Sequence, residues 1–257
     1  MIRPPWLRPT EHGATRGGAV GRGSLVVLSA AAVLLSVGLP AGAATLAQSS
    51  TTTTVNPATD RATAQGINLT ATDLPGWQES PNPPNTKNPG LQSKLAACVG
   101  RSNPGKDHVV DVSSPNFDKG PVEISSDVTM VRSHADGLAD LRSMKNPKLA
   151  SCAKKYLTPA LSSSLPKGAT ISKVKVSTFS PPEAVPNSFA LRVSLTVTGK
   201  TQGITISVPV TVTEIGFLVG RAEVTLNEDQ KGQPSPIAVE PGLIRTLSSR
   251  AGGTVTA

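Results

Sequence analysis

Two uninterrupted alternations of apolar and polar residues constrain the fold of this chain more than any other feature. Apolar side chains occupy every second position from Phe189 to Val197, and the pattern resumes from Ile204 to Val212 after the five-residue turn Gly-Lys-Thr-Gln-Gly at 199–203. A period of two places all these apolar side chains on one face of a strand. The two segments therefore predict an antiparallel hairpin with one face on a core and the other face in water.

Other segments predict the remaining elements of the same domain. Helical spacing predicts helices over 91–99, from 133, from 147 and over 241–250. Alternation predicts further strands over 109–113, 122–132, 170–180 and 216–226, the last with a bulge at Gly220. We expect the polar residues 227–236 to form a loop. Because strands and helices are segregated along the chain, we predict an α+β fold, a twisted antiparallel sheet with a C-terminal meander and helices packed against one face.

The first 43 residues predict an export signal. A basic segment with four Arg precedes the apolar run 25–39, and the small residues 41–44 allow cleavage after Ala43. The apolar run is shorter than the roughly 20 residues of a membrane-spanning helix. The alternative is an uncleaved N-terminal segment that tethers the protein to the membrane. In both cases the remainder lies outside the cytoplasm, secreted or within a bacterial cell envelope.

The exported part divides into a tether and one domain. Residues 44–67 lack apolar periodicity and are rich in Ser, Thr and Ala, so we predict a flexible tether. Residues 68–257 form a single predicted α+β domain. The net charge of +8 falls to +5 without residues 1–43, which contain four Arg and one Glu. With no basic cluster and only 3% aromatic residues, the chain lacks the features of a nucleic-acid-binding protein.

The chain contains two cysteines, Cys98 and Cys152, and both lie in the exported part. In an oxidising compartment they most simply form one disulfide. Closing a loop of this length stabilises the fold by about 4 kcal/mol through chain entropy. A zinc site and a redox site are weaker alternatives, because the pair lacks both matched His spacing and a Cys-x-x-Cys motif.

The sequence contains no recognisable catalytic constellation. We expect His108, in a polar segment, and His134, at the start of a helix, to be solvated. Ser133 and Asp136 form a predicted capping box, and we place Asp140 on the solvated face of the same helix. No Ser lies in a Gly-x-Ser-x-Gly motif, and no glycine-rich phosphate loop precedes a helix in the exported part. We therefore expect a protein that is not an enzyme and has no cofactor and no metal, with a secreted hydrolase as the least favoured alternative.

Five basic residues project from the outward positions or turns of the predicted sheet. They are Lys173, Lys175, Arg192, Lys200 and Arg221. They form either a solvated face that maintains solubility or a shallow basic surface for cell-wall polyanions and anionic lipid head groups.

Two aromatic residues are candidate packing anchors or ligand contacts. Leu74-Pro75-Gly76 predicts a type II turn that directs Trp77 back toward the domain. Packing of the first segment onto the sheet is the favoured role of Trp77, and ligand contact is the alternative. Tyr156 lies on the apolar face of the helix that begins near residue 147 and has the same two possible roles.

Several short motifs resemble a known family. They are Leu-Thr-Ala-Thr-Asp-Leu-Pro-Gly-Trp at 69–77, Ala-Ala-Cys-Val-Gly at 96–100, Val-Thr-Met-Val-Arg-Ser at 128–133 and Leu-Ala-Ser-Cys-Ala at 149–153. This order is similar to that of secreted sensor-type domains of high-GC Gram-positive bacteria, such as the extracellular domains of PknH-like receptor Ser/Thr kinases. The resemblance covers roughly residues 69–251. Secreted PsbP-like envelope proteins have a similar order of elements and are the rival assignment.

The resemblance implies a twisted sheet with helices against it, a disulfide that supports the helical segment, and a cleft for an extracellular ligand. The chain has no kinase domain and only two cysteines, fewer than the kinase sensor domains. We therefore expect a non-catalytic envelope domain that binds a small apolar or amphipathic ligand, a lipid or cell-wall component, in a cleft between sheet and helices. The alternative is a structural or protein-interaction module that binds an envelope protein and has no small-molecule pocket.

Overall fold

An antiparallel sheet of eight strands is the framework of the computed structural model, which describes residues 55–82, 90–101, 105–181, 185–201, 204–232 and 242–252. The strands are β1 (Gln78–Ser80), β2 (His108–Ser113), β3 (Asn116–Lys119), β4 (Val122–Val131), β5 (Thr170–Phe179), β6 (Ser188–Thr201), β7 (Ile204–Val219) and β8 (Ala222–Lys231). The helices are α1 (Pro57–Ile67), α2 (Leu91–Cys98), α3 (His134–Met144), α4 (Leu149–Ser164) and α5 (Leu243–Arg250). The predicted signal 1–43 and residues 44–54 of the predicted tether lie outside the described residues. The predicted fold class is confirmed.

The two alternating segments form the long hairpin β6–β7. Its antiparallel register runs from Ser188 opposite Phe217 to Thr201 opposite Ile204. β7 then continues to Val219, beyond the predicted end of the alternation. The predicted bulge at Gly220 is wrong, because this residue has φ +58° and lies in the short turn that reverses the chain into β8.

The order of strands places β8 near the middle of the sheet. The order is β1-β3-β4-β8-β7-β6-β5, and β2 pairs with β4. β8 includes residues 227–231, which the sequence assigns to a loop. That prediction is wrong because pairing with both β4 and β7 holds these polar residues in extended conformation.

Helices contact both faces of this sheet, rather than one face as predicted. α1 and α5 pack on the face that presents Val224 and Leu226 of β8. α2 and α4 pack on the opposite face, over Val193 of β6 and Val212 of β7. The helices predicted from the middle of the sequence thus form one layer, and a second layer comes from the two ends of the domain.

The segment predicted to be a flexible tether contributes α1 to this second layer. The Asn56 side chain caps the helix by accepting a hydrogen bond from the Ala58 N–H at 3.0 Å. Ala64 is buried against the sheet, and Asp60 forms an ion pair with Arg221 at 2.7 Å. The tether prediction is therefore wrong for residues 57–67. Its Ala- and Thr-rich composition concealed a helix whose stability comes mainly from tertiary contacts.

The disulfide joins α2 to α4. Cys98 and Cys152 are bonded with an S–S distance of 2.05 Å, which confirms the predicted pairing. The Ser133 hydroxyl accepts a hydrogen bond from the Asp136 N–H at the start of α3, as the predicted cap requires. Among the helices that the structure describes, none is long and apolar enough to cross a membrane.

Gly137 allows α3 to lie very close to the sheet. A Cβ atom added at this position would lie 2.5 Å from Leu218 Cδ1 and 3.3 Å from Glu223 Oε1. Leu218 is itself buried and has little room to move. The sequence shows only that this glycine weakens the helix, whereas the structure shows that it sets the distance between α3 and the strands β7 and β8.

Two helical glycines provide a matched test of this close approach. We expect Gly137→Ala to lower the free energy of unfolding by about 1–2 kcal/mol, because overpacking outweighs the gain in helix propensity. Gly66 in α1 has no atom within 4 Å of an added Cβ. We therefore expect Gly66→Ala to raise the free energy of unfolding by about 0.5–1 kcal/mol. Urea unfolding followed by circular dichroism measures both, and an equal effect of the two substitutions would contradict the role of Gly137.

Candidate functional site

A band of carboxyl and amide side chains crosses the sheet on the face that carries α3 and α4. Residues directly opposite each other in neighbouring strands share a face. The strand register places Asp111, Asp127, Glu214, Glu223, Asn227 and Asp229 on this one face. We call this set the polar band. The four members on β7 and β8 are buried, so most of the band is removed from water.

One end of the polar band meets His108 and α3. His108 Nδ1 lies 3.1 Å from Asp111 Oδ1, and its Nε2 lies 3.9 Å from Asp140 Oδ2. The Thr129 hydroxyl donates to Asp111 Oδ1 at 2.6 Å and holds that carboxylate beside the imidazole. The ring is thus oriented by its Nδ1 contact, with Nε2 directed toward the interior.

Arg101 supplies a cation to the same centre. Its Nη2 pairs with Asp140 Oδ1, and both side chains are almost completely buried. Arg101 lies three residues after Cys98, the last residue of α2, and its backbone N–H donates to the Ala96 carbonyl at 2.8 Å, which fixes the chain at this point. The guanidinium compensates for the loss of solvent around one carboxylate oxygen.

Two buried carboxyls, Glu223 and Asp140, lie next to each other at this centre. Burial, and then the neighbouring Asp140 carboxyl, raise the pKa of Glu223 far above its usual range. Burial also raises the pKa of Asp140, although Arg101 opposes that change. Because two adjacent buried carboxylates do not readily ionise together, the proximity of Asp140 adds to the effect of burial on the pKa of Glu223. His108, Asp140 and Glu223 each present one possible metal-ligating atom, and these three atoms lie within 4.8 Å of one another.

The other end of the polar band centres on Glu214. This side chain is 1% exposed, and burial, followed by the charge of Asp127, raises its pKa to about 8. Asp127 accepts a hydrogen bond from Asn227 Nδ2 at 2.8 Å and another from the Ser113 hydroxyl. Burial nevertheless raises the pKa of Asp127 to about 6. This end of the band therefore holds protons at neutral or mildly acidic pH.

The sequence prediction for His108 and Asp140 is wrong, because neither side chain is solvated. His108 begins β2 rather than lying in a polar loop, and its side chain is 12% exposed. Asp140 is 1% exposed. A signal for Asp140 was present in the sequence, since Gly137 and Leu141 flank it at helical spacing on the buried face of α3. His134 is exposed, and its Nδ1 lies 2.6 Å from the Gly220 carbonyl oxygen.

Trp77 and Tyr156 lie on opposite faces of the sheet. Trp77 follows a turn closed by its N–H and the Leu74 carbonyl at 3.1 Å. It is half-buried against the core cluster of α1 and α5, and Lys119 Nζ lies 5.6 Å from its ring centroid. Tyr156 is half-buried against the cluster under α4, with Lys155 Nζ 5.1 Å from its ring. The structure does not bring the two aromatics into one site.

The five basic residues do not form one surface. Lys173 and Lys175 on β5 and Lys200 on β6 are exposed. The Arg192 guanidinium stacks over the Phe179 ring at 4.7 Å. Arg221 is committed to the Asp60 carboxylate and donates through Nε to the Val131 carbonyl at 2.7 Å. Only the three lysines are therefore available to a ligand as exposed cations of the predicted set.

An apolar strip extends along the face of α4 toward the tip of the β6–β7 hairpin. Ile171, Val197, Val208, Ile206 and Ile204 share this face by strand register, and we call them the apolar strip. The first four are half-buried, and Ile204 is 65% exposed. Three of them pack on the cluster beneath α4, so the strip continues that core outward.

A polar groove of about 390 Å³ lies where β2 leads into β3. Its lining consists of Glu79, Ser80, Pro81, Asn82, Ser113, Ser114 and Pro115. Asn82 Nδ2 donates to the Ser114 carbonyl at 3.1 Å and connects the two sides of the groove. This groove lies at the edge of the sheet and differs in chemistry and place from the predicted apolar cleft between sheet and helices.

The buried Glu214 carboxyl makes stability depend on pH. Its pKa in the folded chain is about 8, above the value of 4.5 for an unperturbed glutamate, so folding retains a proton. The stabilisation is complete below the unfolded value and is lost as the pH rises through about 8. We expect the free energy of unfolding to fall between pH 5 and pH 8, with a slope of up to about 1.4 kcal/mol per pH unit from this one group.

Urea unfolding at a series of pH values tests this expectation on Glu214→Gln. The amide cannot ionise, so the variant should lose this part of the slope and become more stable than the parent chain at pH 8. Glu79→Gln changes an exposed glutamate and is the matched control, with a curve parallel to that of the parent chain. Parallel curves for Glu214→Gln and the parent chain would show that Glu214 does not carry the dependence.

The comparisons with known proteins show little similarity. No family model matches the sequence, and no curated protein matches it. Among solved structures, the crystal structure of the extracellular domain of PknH from Mycobacterium tuberculosis matches 73% of this chain and 92% of that chain, with 9% sequence identity and a TM-score of 0.33. The resemblance to PknH-like sensor domains is thus a weak structural one, and at this TM-score it carries no argument about function.

Proposed function

We propose that this chain is a non-catalytic domain that acts outside the cytoplasm, in the bacterial cell envelope. The Cys98–Cys152 disulfide supports this location, because such bonds persist in oxidising compartments and are rare in the cytosol. The N-terminal arrangement of a basic segment, an apolar run and small residues is typical of an export signal. In this proposal the domain lies outside the cytoplasm, catalyses no reaction and binds a component of the envelope.

The proposed ligand is an anionic amphiphile whose acyl chain lies along the apolar strip. The observation that carries this proposal is the continuation of the apolar face past α4, ending in Ile204 at 65% exposure. Side chains of this kind gain roughly 1.5–3 kcal/mol each when they are transferred fully out of water. An acyl chain that enters between α4 and the hairpin would cover them.

The charges at this end of the sheet favour a negative head group. Lys173 and Lys175 lie on the edge strand β5, and Lys200 lies near the tip of β6. All three are exposed. The register places Lys175 and Lys200 on the face opposite the apolar strip, so their long side chains reach the rim of the strip around the edge strand β5 and the hairpin tip. The combination of an apolar strip and a basic rim fits a lipid with an anionic head group better than a neutral one.

Vesicle binding tests the proposed ligand. We expect the chain to bind phosphatidylglycerol vesicles, to bind phosphatidylcholine vesicles much more weakly, and to dissociate at high salt. Replacing Ile204 and Ile206 together by Asp should weaken binding at least tenfold, because two apolar contacts are lost. Gln65→Glu adds a negative charge at an exposed position of α1, on the other layer of the domain and away from the three lysines, so it is the control for charge alone.

Two results of this experiment would contradict the proposal. The first is absence of binding to anionic vesicles, which would favour a protein-interaction module that uses the same exposed strip. The second is an equal loss of affinity in Gln65→Glu and in the double Ile variant, which would show that overall charge alone accounts for binding. Circular dichroism of each variant establishes that the fold is intact before binding is measured.

The proposed location has a separate test. We expect the chain isolated from the envelope or the culture medium to contain no thiol that reacts with maleimide after denaturation, because both cysteines are oxidised. The same sample treated first with a reductant is the control and should react at two thiols per chain. Free thiols in the untreated exported protein would contradict the location and the role of the disulfide.

A further inference from the structure

We propose that His108, Asp140 and Glu223 form a binding site for one divalent transition-metal ion, with Zn²⁺ as the best-matched occupant. One imidazole nitrogen and two carboxylate oxygens lie within 4.8 Å of one another. Imidazole and carboxylate are zinc ligands, and bonds of about 2.0–2.2 Å in a tetrahedral site place such atoms about 3.3–3.6 Å apart. The three side chains therefore need to close by about an ångström around the ion, and a water molecule would complete four ligands.

The orientation of His108 matches that of a metal ligand. Its Nδ1 lies 3.1 Å from Asp111 Oδ1, and its Nε2 is directed toward Asp140. In metal sites a carboxylate commonly accepts the second ring N–H and so fixes the tautomer and the ring direction. Thr129 donates to the same Asp111 oxygen at 2.6 Å, which secures this outer support.

Glu223 provides an independent indication that the centre binds a cation. Its side chain is 5% exposed, and neither carboxyl oxygen accepts a hydrogen bond from any donor within the described part of the chain. The nearby Asp140 is another carboxyl and supplies no compensating positive charge. Burying a carboxylate without hydrogen-bond donors costs free energy, and coordination of a cation compensates for that cost.

The charges at this centre sum to zero when a divalent ion is added. Asp111, Asp140 and Glu223 contribute three negative charges when ionised, and Arg101 contributes one positive charge through its pair with Asp140. A divalent cation supplies the remaining two charges if His108 is neutral, as a metal-bound imidazole must be. Arg101 engages Asp140 Oδ1, which leaves Oδ2 on the side that faces His108.

The surrounding structure can hold and admit an ion. The ligands come from β2, α3 and β8, and Gly137 brings α3 close enough for an added Cβ to lie 3.3 Å from Glu223 Oε1. The Asp111 side chain is 65% exposed, so the centre approaches solvent on the side of His108 and Asp111. This site is separate from the apolar strip, and the proposal does not depend on lipid binding.

Calorimetric titration with Zn²⁺ tests the site on the full chain, prepared without a polyhistidine tag and treated with a chelator. We expect one high-affinity Zn²⁺ per chain and a rise in the unfolding temperature on binding. Glu223→Gln and His108→Gln should each weaken binding at least tenfold. Co²⁺ in place of Zn²⁺ should give visible absorption bands of a four-coordinate ion, and these should be absent in His108→Gln.

Matched variants separate metal binding from folding and from nonspecific sites. His134→Gln changes an exposed histidine and Glu123→Gln changes a glutamate outside the cluster, and both should bind Zn²⁺ as the parent chain does. Asp111→Asn alters the exposed supporting carboxylate and should weaken binding about tenfold or more without loss of the fold. Absence of one-to-one binding, or unchanged affinity in both Glu223→Gln and Asp111→Asn, would overturn the proposal. The double Ile204 and Ile206 variant should retain Zn²⁺, so failure of the lipid proposal is distinguishable from failure of this one.

Discussion

The pairing of β8 with both β4 and β7 is the interaction on which the rest of the structure depends. It connects the long C-terminal hairpin to the strands β2–β4 and creates one continuous sheet. It also buries nine of the ten residues of β8, because helices or other segments of the same polypeptide cover both faces of this strand. Among the residues buried in this way is the run Asn227–Gln230, which has four polar side chains in succession. The backbone ladder therefore enforces the burial of groups that would prefer water.

The chemistry of the polar band follows from that enforced burial. A carboxyl group in a medium of low polarity is stabilised as the neutral acid unless a cation or several donors compensate its charge. Burial is accordingly the largest cause of the raised pKa values of Glu214, Glu223 and Asp229. Arg101 compensates one carboxylate of the centre, Asp140. Protons, hydrogen-bond donors such as Asn227 at Asp127, and the proposed metal ion at the His108 end are further means of compensating the charge of the band.

The sequence predicts those elements whose residues show a clear pattern over a short, continuous stretch of the chain. Alternation identified the β6–β7 hairpin, and the two cysteines identified the bond between α2 and α4. It was insufficient for β8, because Asn227–Gln230 has the composition of a loop and becomes a strand only through pairing with β4 and β7. α1 was missed for a similar reason, since its contacts with Arg221 and the sheet are distant in sequence.

The candidate site was predictable to a smaller extent than the fold. His108 and Asp140 are 32 residues apart in the numbering of the chain and meet only when α3 packs on β2 and β8. Their polarity alone indicates a solvated position, and nothing local in the sequence around His108 contradicts that. Asp140 was a different case, because its helical spacing with Gly137 and Leu141 placed it on the buried face. A buried carboxylate on a helix requires a partner, so this spacing was the one available sign of the centre.

The disulfide contributes to the polar centre as well as to the helical layer. Cys98 ends α2 and binds this helix to α4, and Asn146 Nδ2 donates to the Val99 carbonyl at 3.0 Å from the connection between α3 and α4. Arg101, two residues after Val99, pairs with Asp140 on α3. Three links of different chemistry thus fasten the same end of α2 to α4, to the α3–α4 connection and to α3. Arg101 lies in the short segment that these links fix, so the disulfide and the Asn146 hydrogen bond help to place the cation beside Asp140.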